Sequence, residues 1–208
     1  MSEMLLAAKA LAQIGPAASV FGSARLATDS PYCALARDLG ERLARAGLAV
    51  IAGGGPGIMH AANRGAYEAG GTSVGLNIRL PSEQHNNPFQ TIDLSFEYFY
   101  SRKATFFMHS MAYIALPGGF GTLDELFEAL TLIQTKKLPP GPVILMGSEF
   151  WRGLIDWMQE QMVPQDMVTD RHMSLFQIED DPQNVVDLIL AYEYTHQSEA
   201  NRPSSLPR

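Results

Sequence analysis

Short, β-rich apolar runs alternate along this chain with longer stretches whose apolar residues recur at helical spacing. Strands are predicted at 19–21, 48–52, 73–78, 91–94, 113–116 and 143–146, with a last one near 175–178. In the 31–46 stretch Leu35, Leu39 and Leu43 fall on one helix face, and Pro31 suits a first turn. A second helix runs from the glycines at 53–57 to about residue 69, where Gly70-Gly71 stops it; others are predicted over 98–111, 122–136, 150–162 and 182–194. The longest irregular loop, 79–90, carries Pro81, Asn86, Asn87 and Pro88.

Strands alternating with helices in this way predict parallel βαβ units and a sheet covered on both faces. The expected fold is α/β: a Rossmann-like, doubly wound parallel sheet in one domain over residues 1–200, with 201–208 a disordered tail. Ligands of such sheets sit beyond the strand carboxyl ends, where strand order reverses. Strand ends here carry small residues at Gly22-Ser23, at 53–57 and at 118–122, so these loops are expected to converge on one crevice.

Charge narrows the partners. A net charge of -7 and a pI near 5.2 argue against nucleic acid and anionic lipid surfaces. A small anion remains possible, because a few backbone N–H groups and one Arg suffice locally. The single cysteine, Cys33, permits no internal disulfide. No apolar run reaches the roughly 18–20 residues that cross a bilayer, and the acidic start lacks the basic region of a secretory signal. A soluble, cytoplasmic protein is expected.

The glycine loops differ in what they can hold. In Gly53-Gly54-Gly55-Pro56-Gly57 the third glycine of a dinucleotide fingerprint is replaced by Ile58. The ribose-binding acid about 20 residues on is replaced by Asn77-Ile78-Arg79. Neither loop ends in the Gly-Lys-Ser/Thr of a triphosphate site. Pro117-Gly118-Gly119-Phe120-Gly121-Thr122-Leu123-Asp124-Glu125 suits a phosphate, which glycines admit to the backbone and a helix N-terminus attracts. The same Thr122-x-x-Glu125 spacing is also that of a capping box, in which Glu125 only returns to the Thr122 N–H. Against the box, Asp124, Glu125 and Glu128 crowd this first turn and a half, more acid than a cap uses.

Ser101-Arg102-Lys103 opens an otherwise apolar helix (Phe106, Phe107, Met108, Met111), and cations there oppose the dipole unless an anion is near. The helix precedes the strand that delivers the 117–125 loop, so Arg102 is expected to face Glu125. Its aromatic and Met side chains suit core or subunit interface, which predicts a homodimer or larger homo-oligomer. The five histidines show no paired ligand spacing, so no metal is expected.

Arg102-Lys103 followed by the 117–125 motif, with Gly53-Gly54-Gly55-Pro56-Gly57-Ile58-Met59, resembles the LOG family over residues 15 to 195. These are cytokinin riboside 5'-monophosphate phosphoribohydrolases, often labelled lysine decarboxylases. The resemblance implies a cofactor-free homo-oligomer that hydrolyses the N-glycosidic bond of AMP or an N6-substituted AMP. It places catalysis on Arg102 and Glu125 and substrate contacts on Lys103, Gly118, Gly119, Phe120, Gly121 and Thr122, joined by Ser23 and Gly55; Glu83, Thr131 and Glu128 are further candidates. Plant members read Met-His-x-Arg-Lys where Phe99-Tyr100-Ser101 precede Arg102, and Leu80-Pro81-Ser82-Glu83-Gln84 looks like the longer bacterial branch. A pyridoxal-phosphate decarboxylase would need a Schiff-base lysine in a supporting site, and Lys9, Lys103, Lys136 and Lys137 lack one. The rival readings are a non-catalytic nucleotide or cofactor carrier and, more remotely, a nicotinamide-dependent enzyme.

Overall fold

Every strand of this protein pairs in parallel, and the sheet reads β4-β3-β2-β1-β5-β6-β7. The computed structural model describes residues 2–81 and 86–200, with side chains through 195. The strands are β1 (Ala17–Phe21), β2 (Ala49–Ala52), β3 (Ser73–Ile78), β4 (Ile92–Phe96), β5 (Ala112–Ala115), β6 (Val143–Leu145) and β7 (Gln177–Ile178). The helices are α1 (Glu3–Ala10), α2 (Pro31–Arg45), α3 (Ile58–Glu68), α4 (Phe99–His109), α5 (Phe120–Gln134), α6 (Ser148–Trp157), α7 (Asp170–Met173) and α8 (Pro182–Ala200). A π-helical stretch, Met158–Met162, extends α6. Glu83 and the 201–208 tail lie outside the described residues.

Period-two alternation divides the strand residues between two apolar layers. Ala18, Val20, Val50, Ile114 and Ile144 pack with Leu39 and Leu43 of α2, Ala62 of α3 and Ile189 of α8. Phe21, Ile51, Leu76 and Leu145 point the other way, onto Phe106 of α4, Leu126 of α5 and Trp151 of α6. Burial on both faces is why these strands read as continuous apolar runs. Strand order reverses between β1 and β5, which opens a crevice above their carboxyl ends.

Two local expectations are corrected. The helix predicted from 122 begins at Phe120, with Gly119 as N-cap and Thr122 already inside the first turn. The capping box therefore does not form, because the extended Gly119 caps the helix three residues earlier than a Thr122 cap would. A helix also precedes β1, unpredicted: Ser2 caps α1, and its short apolar run buries Ala7 while leaving Leu5 and Leu6 exposed.

Candidate active site

A cavity of about 560 Å³ lies above the carboxyl ends of β1, β2, β3 and β5, within the size range of small-molecule sites. The three glycine-bearing loops meet in it as expected: Gly22 and Ser23 after β1, Gly53 and Gly55 after β2, and Gly119, Phe120, Gly121 and Thr122 at the start of α5. The β1 and β5 loops are tied together by the Ser23 N–H, which donates to Pro117 O at 3.0 Å. The first N–H groups of α5, from Phe120 onward, have no acceptor within the helix and lie at the cavity wall. Gly118 does not line the cavity. A Cβ there would collide with the Thr122 side chain, so Gly118 lets the helix start turn tightly.

Glu125 sits one helical turn beyond Thr122 on the same face, and Arg102 reaches it from α4. The Arg102 guanidinium is buried; its Nε donates to Leu76 O at 2.6 Å and its Nη2 to Gly53 O at 3.4 Å. Nη1 stands 3.5 Å from Glu125 Oε1, and the guanidinium lies over the Phe106 ring at 5.3 Å. Only glycine at position 53 admits this arrangement, since a Cβ would strike Nη2 and the Met59 sulfur. Burial pushes the Glu125 carboxyl up to about 7; Arg102 opposes the rise, and Asp124 adds to it. Burial also lowers Arg102 from its ordinary value, against the attraction of Glu125.

The start of α4 carries a second anion. Glu3, from α1, accepts from the Glu97 N–H at 2.5 Å and from the Ser101 hydroxyl, and these bonds hold its carboxyl below the ordinary range. The compensation that a cation-bearing helix start requires thus comes from Glu3 as well as Glu125.

The model of the family described as "Possible lysine decarboxylase" matches residues 59–189. A cytokinin riboside 5'-monophosphate phosphoribohydrolase of Rhodococcoides fascians is 30% identical over 70% of this chain and 75% of its own length. The chain belongs to the LOG family. A phosphoribohydrolase of the same name from Arabidopsis thaliana is 34% identical, over 50% of this chain and 46% of its own length. Among solved structures, the molybdenum cofactor binding protein of Rippkaea orientalis superposes with a TM-score of 0.62 at 27% identity, covering 85% of this chain and 96% of that one. The molybdenum cofactor carrier protein of Chlamydomonas reinhardtii, at 24% identity and TM-score 0.60 over 88% of this chain and 98% of that one, shares the fold.

The LOG motif residues separate in space. Ser23, Gly55, Arg102, Gly119, Phe120, Gly121, Thr122 and Glu125 meet in the cavity. Lys103, next to Arg102 on the helix, is turned out of it: its ammonium lies 3.0 Å from Asp124 and 2.8 Å from Glu128. Lys103 and Glu128 thereby pin α4 to α5 instead of lining the cavity, because adjacent helical residues point about 100° apart. Thr131, two turns past Glu125, is exposed. None of the chain's lysines lines the cavity, so the family's decarboxylase label finds no Schiff-base residue there.

Sequence reading missed part of the wall: Arg25, Met59, Ile78, Leu80, Asn86 and Phe99. It also missed a buried amide network that braces the β2 loop. Asn87 donates from Nδ2 to Gly55 O at 3.2 Å and from its N–H to Gly54 O at 2.8 Å, while Asn77 Nδ2 donates to Asp93 Oδ1 at 2.6 Å. The one signal available was the clustering of Asn86, Asn87, Gln90 and Asp93 around a strand. Such residues are buried only where each amide finds a partner.

Proposed function

We propose that this protein hydrolyses the N-glycosidic bond of a purine nucleoside 5'-monophosphate, AMP or an N6-substituted AMP, to free base and ribose 5-phosphate. The observation that carries this reading is the enclosed Arg102–Glu125 pair, one turn beyond the free N–H groups of Gly119 to Thr122. The phosphate would sit on those N–H groups, at the β1/β5 end of the cavity. The ribose would then lie beside Glu125, and the base would extend toward Ile78, Leu80 and Phe99 at the β3 side.

Cleavage builds positive charge at C1' of the sugar, as in other glycoside hydrolyses. A carboxyl near 7 is poised at neutral pH to face that charge as the anion and to take the proton of the attacking water. The water oxygen bonds to C1', the C1'–N bond breaks, and the departing purine nitrogen takes up a proton. Arg102 holds Glu125 in place and offsets its repulsion of the phosphate. The test is incubation with AMP and its N6-substituted relatives, with chromatography of the products. Free base and ribose 5-phosphate are expected. Tight binding of nucleotide without release of base would replace this reading with that of a carrier, which the Rippkaea and Chlamydomonas likenesses make the natural rival.

The reading extends to assembly and location. Phe106 and Phe107 are core, but Tyr98, Phe99, Tyr100 and Met108 of the same segment are exposed, an apolar surface suited to a second copy of the chain. A mass of at least a dimer is expected by light scattering at micromolar concentration, and a monomer there would remove the subunit interface from the account. No described helix is long and apolar enough to cross a membrane. A metabolic nucleotide substrate and a single buried thiol, Cys33, fit a cytoplasmic setting.

A further inference from the structure

Charge in the cavity is unevenly used. Among the described residues three charged side chains line it: Arg102, Glu125 and Arg25. Arg102 is committed, with its guanidinium spent on Leu76 O, Gly53 O and Glu125. Arg25 is not. It is exposed and forms no ion pair among the described residues, and its own backbone N–H is bonded to the Ser23 hydroxyl at 3.1 Å. Its guanidinium is thus available to an anionic ligand in the cavity, with which it would form charge-assisted bonds.

Its position along the cavity is fixed by the sheet. Arg25 follows Ser23 in the loop after β1, and the Ser23 N–H is bonded to Pro117 O, the residue that opens the α5 glycine turn. Ser23 O in turn accepts from the Ile58 N–H at 2.9 Å, and an added Cβ at Gly57 would collide with it, so the loop is clamped on both sides. Arg25 therefore stands on a loop held between the one that opens α5 and the start of α3, and it lines the same cavity as Gly119 to Thr122. A phosphomonoester carries between one and two negative charges near neutrality. The α5 terminus supplies about half a positive charge, and the Arg102–Glu125 pair supplies none when both are ionised. One full positive charge is missing at this end, and Arg25 is the described cavity residue that can provide it.

We infer that Arg25 is the phosphate-clamping residue of the site: from the loop bonded to the start of the α5 turn it closes on the 5'-phosphate and selects phosphorylated over unphosphorylated nucleosides. This assignment rests on the proposed nucleotide reaction for its catalytic consequence but not for its binding consequence. A guanidinium on a phosphate oxygen forms charge-assisted bonds, and losing one costs on the order of 10- to 100-fold in affinity.

The test compares Arg25→Ala, Arg25→Lys and the parent chain. Ribose 5-phosphate and AMP are titrated calorimetrically, and hydrolysis of AMP and adenosine is followed in parallel. Arg25→Ala is expected to weaken ribose 5-phosphate and AMP binding by at least ~10-fold, with Arg25→Lys recovering part of the loss because it keeps charge but not the planar fork. On turnover, the loss falls on KM more than on kcat, and the loss on AMP exceeds that on adenosine by at least ~10-fold. Unfolding midpoints should coincide, since the side chain is exposed. Equal losses on AMP and adenosine, or undiminished ribose 5-phosphate binding, would overturn the clamp. Arg25-dependent binding without any base release would leave the clamp standing and remove the hydrolase reading. A parent chain that binds neither phosphate compound overturns both.

Discussion

Glu125→Gln is expected to lose at least ~100-fold in turnover on a nucleoside monophosphate, the lower end of what a positioned acid or base contributes, while nucleotide binding holds or improves. Gln keeps the shape of Glu125 and can still accept from Arg102, but it cannot bear the anion that faces C1' or take a proton from water. The pH dependence follows from the same carboxyl. With its folded value raised from 4.5 to about 7, activity that needs the anion should climb as pH rises through about 7, and Glu125→Gln should abolish that limb.

Stability should move the opposite way. A carboxyl raised in the folded state binds more protons there than in the unfolded chain between pH 4.5 and about 7, so the parent chain loses stability as pH rises through that window. At about 1.4 kcal/mol per unit, the penalty reaches roughly 3 kcal/mol above pH 7. Glu125→Gln should escape it, matching the parent near pH 4 and exceeding it near pH 8 in urea unfolding. A dead but stabilised variant is the signature of a residue kept for chemistry against the interests of the fold. Full activity with normal folding would leave Glu125 without a catalytic role.

Much of this was readable from the residues, and the reasons differ by element. The parallel sheet was legible because buried strands such as Ala49–Ala52 are continuously apolar and their helices keep a helical period. The convergence of the 22–23, 53–57 and 118–122 loops was legible because three predicted strands end in small residues and ligands of such sheets lie beyond the strand carboxyl ends. Arg102 facing Glu125 was legible because α4 feeds β5, which feeds α5. The division of labour between Arg102 and Lys103 was not, since one residue of helical rotation sends neighbours to different partners and sequence does not say which faces in. Nor was α1, which buries only Ala7 and its C-cap Leu11 in the core and is tied to the start of α4 by a single carboxylate, Glu3. Arg25 gave no motif signal. Its place depends on a loop-to-loop hydrogen bond between residues 23 and 117, which are distant in sequence.

Arg102→Met should be the most destabilising of the single changes considered for this site, and its cost should depend on pH. Met approximates the side chain's length, so the change removes charge and donors more than volume. Leu76 O and Gly53 O lose their guanidinium donors, and Glu125 loses the cation that holds its value down. Breaking a buried pair by removing one partner costs about 3–5 kcal/mol when the survivor stays charged without another partner. Arg102 keeps Leu76 O and Gly53 O when Glu125 is replaced, but Glu125 has no comparable second partner among the described residues. Here the survivor can neutralise: without Arg102 the Glu125 carboxyl moves above about 7, so at pH 5 it is protonated and much of the cost disappears. The expected result is a large loss of stability near pH 8, a smaller one near pH 5, and no measurable turnover at either. Adding Glu125→Gln to Arg102→Met should restore part of the pH 8 stability, because no buried charge remains, without restoring activity. The double mutant should then lose less than the sum of the single losses in both stability and rate, as expected for side chains that act as a unit. Strict additivity in urea unfolding at pH 8 would mean that the 3.5 Å pair is not energetically coupled, and Arg102 would then serve only as a brace between the β2 and β3 strand ends.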